Sequence, residues 1–220
     1  MKSNESLQKD VQDAIKWEPL LNAAEIGVIA KDGVVTLSGT VDSYAKKIEA
    51  EDAAKNVLGV KAVVEKIEIQ FASTWKKTDT EVATEVINAI NANWAVDKDK
   101  VAIKVEDGWV TLEGELHWNY QKESAKKCIS TLAGVKGVMN YIKIKPETGD
   151  EIEKYNIETA LLRNWSIDDK DIKVEVLGNN VTLNGTVHSL YQKGEAERIA
   201  WNAPGVWSVD NELVVEHEEL

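Results

Sequence analysis

Cysteine is almost missing from this chain: one in 220 residues, Cys128. A single thiol excludes an intrachain disulfide framework and a cysteine-rich zinc site. Histidine is nearly as scarce, at three. No Ser/His/Asp set, His-x-x-x-His pair or spaced cluster of metal ligands is present, so neither catalysis nor a metal or other cofactor is expected. Basic charge is outweighed, with 26 Lys and Arg against 38 Asp and Glu, a net charge of −12. Binding phosphates takes a concentrated basic surface, which argues against a general nucleic-acid binder. No apolar run reaches the roughly 18 residues of a transmembrane helix. The first ten residues lack the apolar stretch of a secretory signal. The expected location is cytoplasmic, or periplasmic if a leader has been trimmed. With 43% hydrophobic and 29% charged residues, the composition is globular.

What the sequence does have is repetition. Asp32-Gly33-Val34-Val35-Thr36-Leu37-Ser38-Gly39 returns as Asp107-Gly108-Trp109-Val110-Thr111-Leu112-Glu113-Gly114, and again as Gly178-Asn179-Asn180-Val181-Thr182-Leu183-Asn184-Gly185. Thr36, Thr111 and Thr182 lie 75 and then 71 residues apart, and the same offsets carry Gly59-Val60 to Gly134-Val135 and Gly205-Val206. Ile67 and Ile69 likewise map onto Ile142 and Ile144, then onto Leu213 and Val215. Three copies of one unit, over residues 1–72, 77–147 and 149–217, account for nearly the whole chain, with linkers near 73–77 and 146–149.

The middle copy is the most readable. Thr78 with Glu81 makes a capping box ahead of Val82, Val86, Ala89 and Ile90, an apolar stripe at helical spacing. Val101, Ile103 and Val105 alternate with Ala102 and Lys104, as a strand with one buried face does. Asp107-Gly108 suits a two-residue hairpin turn, which needs positive φ at both positions. Val110, Leu112, Gly114 and Leu116 form the return strand. A second helix is predicted over about 119–132, with Gly134 to stop it, and a third strand over 138–144. If the last two strands run parallel, the helix between them is a crossover. The predicted fold is α+β: three tandem two-layer αββαβ units, each a three-stranded mixed sheet with two helices on one face.

A Gly-x-Val-x-Leu-x-Gly-type strand, a helix, and a Gly-Val signal about twenty residues after the last strand glycine resemble the BON domain (bacterial OsmY and nodulation), in all three copies. The resemblance implies the αββαβ fold. It also implies association with osmotic or envelope stress, anionic phospholipid binding in some members, and chaperone-like or potassium-sensing roles in others. Its members are commonly periplasmic or lipid-anchored. The family has no universal catalytic motif, and its glycines are structural. Here those are Gly39, Gly114 and Gly185 within a strand, where a packed helix or a bulge would explain them, and Gly59, Gly134 and Gly205 as helix stops.

Aligned copies also allow position-by-position comparison. Cys128 matches Ala53 and Ile199 and is expected on the apolar side of the second helix, as inert packing. His117 matches Asp42 and His188, next to a helix N-cap. Trp94 and Trp165 are equivalent and are expected in core or helix-to-sheet packing. Trp118 instead matches Ser43 and Ser189, Trp201 matches Lys55 and Ser130, and Trp207 matches Lys61 and Lys136. Slots held by Ser or Lys in two copies should face water. These three indoles are therefore expected to fill interfaces between copies or to contact a partner.

Charge is uneven: net −3 over residues 1–72, zero over 73–147 and −9 over 148–220. In the neutral middle copy Trp118, Lys122 and Lys126 fall four apart, with Tyr120 and Lys127 nearby. That spacing makes an aromatic–basic stripe on a helix, either a solvated face or a contact for anionic headgroups. The expected function is a non-enzymatic BON-type binding protein meeting anionic phospholipid or protein partners. A cation- or potassium-responsive module and a chaperone-like protein are the alternatives.

Overall fold

The computed structural model describes residues 2–72, 76–145, 152, 154–164 and 172–216. The chain divides into two compact units, one of residues 1–40, 48–68 and 149–220 and one of residues 41–47 and 69–148. Most of the first and third copies lies in the former, and the second copy lies in the latter.

In the first copy, α1 (Asn4–Trp17) precedes β1 (Ile26–Lys31), β2 (Val34–Val41), α2 (Tyr44–Lys55) and β3 (Ala62–Ile69). The second copy repeats this order as α3 (Asp79–Ala92), β4 (Val101–Glu106), β5 (Trp109–Leu116), α4 (Asn119–Ser130) and β6 (Gly137–Ile144). The third runs α5 (Lys154–Leu162), β7 (Ile172–Leu177), β8 (Asn180–Val187), α6 (Leu190–Trp201), β9 (Ser208–Asn211) and β10 (Val214–Val215). Apart from β10, every strand and second helix begins at the 75- and 71-residue offsets that relate the three sequences, with β9 starting where β3 and β6 do. The fold is α+β, built three times.

Two sheets are ordered β1-β2-β3 and β4-β5-β6, with the hairpin's second strand central. In the second copy the hairpin is antiparallel, from Val101↔Gly114 to Glu106↔Trp109. Its return strand pairs in parallel with β6, from Trp109↔Gly137 to Leu116↔Ile144. The parallel pairing is possible because α4 carries the chain back between them. In the third sheet β7 is antiparallel to β8, while β9 and β10 both pair with β8 in parallel. Together they fill the slot that β6 fills unbroken.

Both helices of a copy cover one sheet face. In the second unit Val82, Val86 and Ile90 of α3 and Ala125 and Ile129 of α4 meet Val110, Leu112, Leu116 and Ile142 from the strands. The third copy's core, with Ile157, Leu161, Val181, Leu183, Ala196, Ile199 and Leu213, has the same plan. Thr78 and Glu81 form the expected capping box. Asp107 and Gly108 have φ of 51° and 78°, as the tight hairpin turn demands. Asp79, first residue of α3, accepts from both turn N–H groups at 2.8 and 2.9 Å, tying helix to hairpin.

Several expectations change in detail. Helix α4 ends at Ser130, and its cap, Thr131, is right-handed. Gly134 does have positive φ, at 86°, but it belongs to a separate turn in which the Val135 N–H donates to Leu132 O at 3.4 Å. The third copy explains this chemically. Ala203-Pro204-Gly205-Val206 places proline and glycine at the two central positions that a type II turn favours, and the Val206 N–H donates to Ala203 O. Gly59 carries the same positive φ, at 91°. The strand glycines answer to backbone rather than to a packed helix. Gly114 has φ of 143°, and a Cβ there would fall on the Lys100 carbonyl oxygen; at Gly39 it would meet that of Glu25. Gly185 shares the conformation, at 127°.

Candidate binding surface

The start of α4 is set by side chains that recur in the third copy. Gln121 Oε1 accepts from the His117 and Trp118 N–H groups, both at 3.1 Å, and Gln192 Oε1 accepts from the His188 N–H at 2.7 Å. The His117 Nδ1–H donates to Lys145 O at 2.9 Å, and the His188 Nδ1–H to Glu216 O at 3.1 Å. With that tautomer, Nε2 of His117 accepts from the Lys100 ammonium at 2.6 Å. These histidines pin the segment after the last strand to the helix start. Asp42, in the same slot of the first copy, has no proton to donate and instead accepts from Lys46 at 2.7 Å, which holds its carboxyl below the usual range. Asn140 Nδ2 donates to Lys122 O at 2.9 Å, as Asn211 Nδ2 does to Lys193 O. A sequence signal for part of this is present: His and Gln recur four apart in both copies.

Onto this shared frame α4 adds features its counterparts lack. Ser189 caps α6 by accepting from the Gln192 N–H at 3.1 Å, and Ser43 does the same for Lys46 at 3.4 Å. Trp118 occupies that cap position with no oxygen to offer and stands 40% exposed. Loss of an N-cap side chain costs about 1 kcal/mol. Lys122 and Lys126 continue from Trp118 along one flank, each half-buried, while Tyr120, Glu123 and Lys127 face solvent. The expected stripe is therefore split: Trp118, Lys122 and Lys126 lie in one line, and Tyr120 belongs to the adjoining outer face.

The charges of α4 also stand apart. Among the described residues, none of Lys122, Lys126 and Lys127 has an ion-pair partner. Lys46 and Lys55, both on α2, are held by Asp42 and by Glu51 at 2.7 and 2.8 Å. On α6, Arg198 is held by Glu195 at 2.6 Å and Lys193 by Leu213 O at 2.8 Å. The Arg198 hydrogen bond holds the Glu195 carboxyl below its usual range. On α4, three lysines face one glutamate.

The remaining aromatic positions fall elsewhere. Trp207, in the first unit, is 49% exposed, and its backbone N–H donates to Asn179 O at 2.8 Å. Trp201 is not a surface residue: it is half-buried against the third copy's own core. The premise that Ser or Lys marks water fails in that slot, because Ser130 is itself buried and its hydroxyl donates to Lys126 O at 2.8 Å. Trp94 is also corrected. It is 91% exposed, because the preceding Asn93 turns inward to bond Ser124 and leaves the indole pointing out. Trp165 lies outside the described residues. Cys128 is half-buried against the core, and burial pushes its thiol pKa up. Among the described residues, no group of three or more His, Cys, Asp or Glu is placed to hold a metal, and no helix is long and apolar enough to cross a membrane.

The sequence pattern of the BON domain matches residues 3–70, 78–146 and 150–217. The chain belongs to the BON domain family. The Osmotically-inducible protein Y of Escherichia coli (strain K12) is 32% identical to it over 129 residues, which is 57% of this chain and 64% of that protein. The match thus spans somewhat less than two thirds of the relative. Among solved structures, the C-terminal domain of CdsD, the structural protein of the type III secretion system of Chlamydia trachomatis, aligns over 98% of this BON chain and all of that one. It does so at 14% identity and a TM-score of 0.26.

Proposed function

We propose that this three-copy BON protein is a non-enzymatic binding protein of the osmotic or envelope stress response, and that it docks on anionic phospholipid through the α4 surface. Trp118 carries the reading. It takes a helix-cap position that serine fills in both sister copies, gives up the cap bond and presents an indole beside unpaired lysines. A residue that costs local stability and is left half-exposed is explained by contact with something outside the chain. An indole offers an apolar body and one donor to a headgroup layer. Each lysine near an anionic surface contributes about 1 kcal/mol. The relation to the Osmotically-inducible protein Y supports the stress assignment.

Co-sedimentation of the full chain with phosphatidylglycerol vesicles at low salt tests this. Binding is expected there and not with phosphatidylcholine. Changing Lys122, Lys126 and Lys127 together to Gln should weaken it by roughly 100-fold, from three contributions of about 1 kcal/mol. Absence of binding at low salt would remove the lipid reading.

A further inference from the structure

Residue Glu18 closes α1 as Asn93 closes α3. Each is extended, with φ and ψ of −83° and 111° or −86° and 106°, and each N–H donates to the isoleucine three residues back. Asn164 does likewise toward Leu161 at 3.0 Å. From that pose the side chain reaches the middle of the second helix. Asn93 Nδ2 donates to Ser124 Oγ at 2.9 Å, and Asn164 Nδ2 donates to Glu195 Oε1 at 2.9 Å. The equivalent pair in the first copy is Glu18 and Glu49, two carboxylic acids. Two carboxylates are acceptors only and cannot bond each other; a single proton between them supplies the missing donor.

We propose that Glu18 and Glu49 form a latch between α1 and α2 that closes on taking up one proton and opens on losing it. Burial pushes the Glu49 carboxyl up in pKa, followed by its hydrogen bond to Glu18 and the negative charges of Glu18 and Asp52. The other charged groups around the pair are engaged elsewhere. Lys55 is held by Glu51 and Asp52, Lys46 by Asp42 and Lys16 by Asp13. On β3, Glu65 accepts from the Ile67 N–H. The charged groups that act on the Glu49 carboxyl are Glu18 and Asp52, both negative.

The sign follows from linkage. The folded first copy holds the shared proton more tightly than the unfolded chain does. Its stability therefore rises as pH falls from neutral toward the ordinary glutamate range near about 4.3, and is lost again as pH climbs through the raised folded value.

Hydrogen exchange followed by mass spectrometry on the full chain, corrected for intrinsic rates, reads each helix separately. Between pH 7.5 and 5.5, protection of α1 and α2 is expected to rise about three- to tenfold while α3 and α4 stay level. Glu18→Asn with Glu49→Ser, the pair the second copy already uses, should flatten that response. Glu49→Gln carries a permanent donor and should keep protection high at both pH values. A flat response in the unaltered chain would overturn the latch. So would an acid-induced rise that survives in the Asn/Ser variant, or low protection with Gln at both pH values.

Discussion

Helices α4 and α6 fill the same slot in two copies of one fold, and they agree where they are hidden and differ where they are seen. Ala125 and Ile129 bury as Ala196 and Ala200 do, and Gln121 and Gln192 fasten the chain entering each helix. On the outer sides, α6 has a serine cap and an arginine tied to glutamate, whereas α4 has a bare indole and untied lysines. The copies thus separate what folding requires from what it leaves free. Trp118 and its lysines fall in the second class, which is why the proposed docking surface is placed there.

The largest expected effect tests the shared frame. Gly114→Ala places a Cβ against the Lys100 carbonyl at a φ that side chains rarely adopt, and should cost about 3 kcal/mol or more of urea-unfolding stability. Gly194→Ala, in mid-α6 with open space around it, should instead stabilise by about 0.5–1 kcal/mol. Tolerance of alanine at Gly114 would break the claim that the copies share one strained backbone position.

Exchanging the caps sharpens the difference between the helices. Trp118→Ser should raise thermal stability by about 1 kcal/mol while weakening vesicle binding, and Ser189→Trp should lower stability by a similar amount. A destabilised Trp118→Ser would mean that the indole serves packing instead. The smallest effect concerns acid. Glu195 is held below its usual range by Arg198, so the pair's contribution is present above the ordinary carboxylate pKa and is lost as pH falls through the lowered folded value. Arg198→Ala should remove about 0.5 kcal/mol at neutral pH, a figure kept low because the guanidinium is largely in water, and the loss should shrink in acid, below the ordinary glutamate pKa of about 4.3. Chemical denaturation at neutral and at acid pH measures it.

Much of the fold was legible because repetition multiplies weak signals. Asp107-Gly108, the Thr78–Glu81 box and the alternation from Val110 to Leu116 each allow other readings alone, but together at fixed offsets they allow one. The site was less legible. Slot comparison found Trp118 because its counterparts are cap serines that favour a helix start, but it misplaced Trp201, whose counterpart Ser130 satisfies its hydroxyl within the helix and needs no water. Trp94 was misread because nothing in its neighbours announces that Asn93 turns in. The strand glycines were recognised as close-approach positions, while the approaching atom, a carbonyl from the residue before the hairpin, lies beyond the reach of periodicity.

The split between β9 and β10 has a consequence for how this protein meets copies of itself. A sheet margin with a continuous row of amide and carbonyl groups is a template on which another extended chain can crystallise. In the third copy that row is interrupted at Glu212 and Leu213, so an incoming strand would lose its register after four residues. The first copy's β3 and the second copy's β6 each run eight residues without such a gap, which leaves those margins more dependent on their single lysines, Lys66 and Lys143, to turn strangers away.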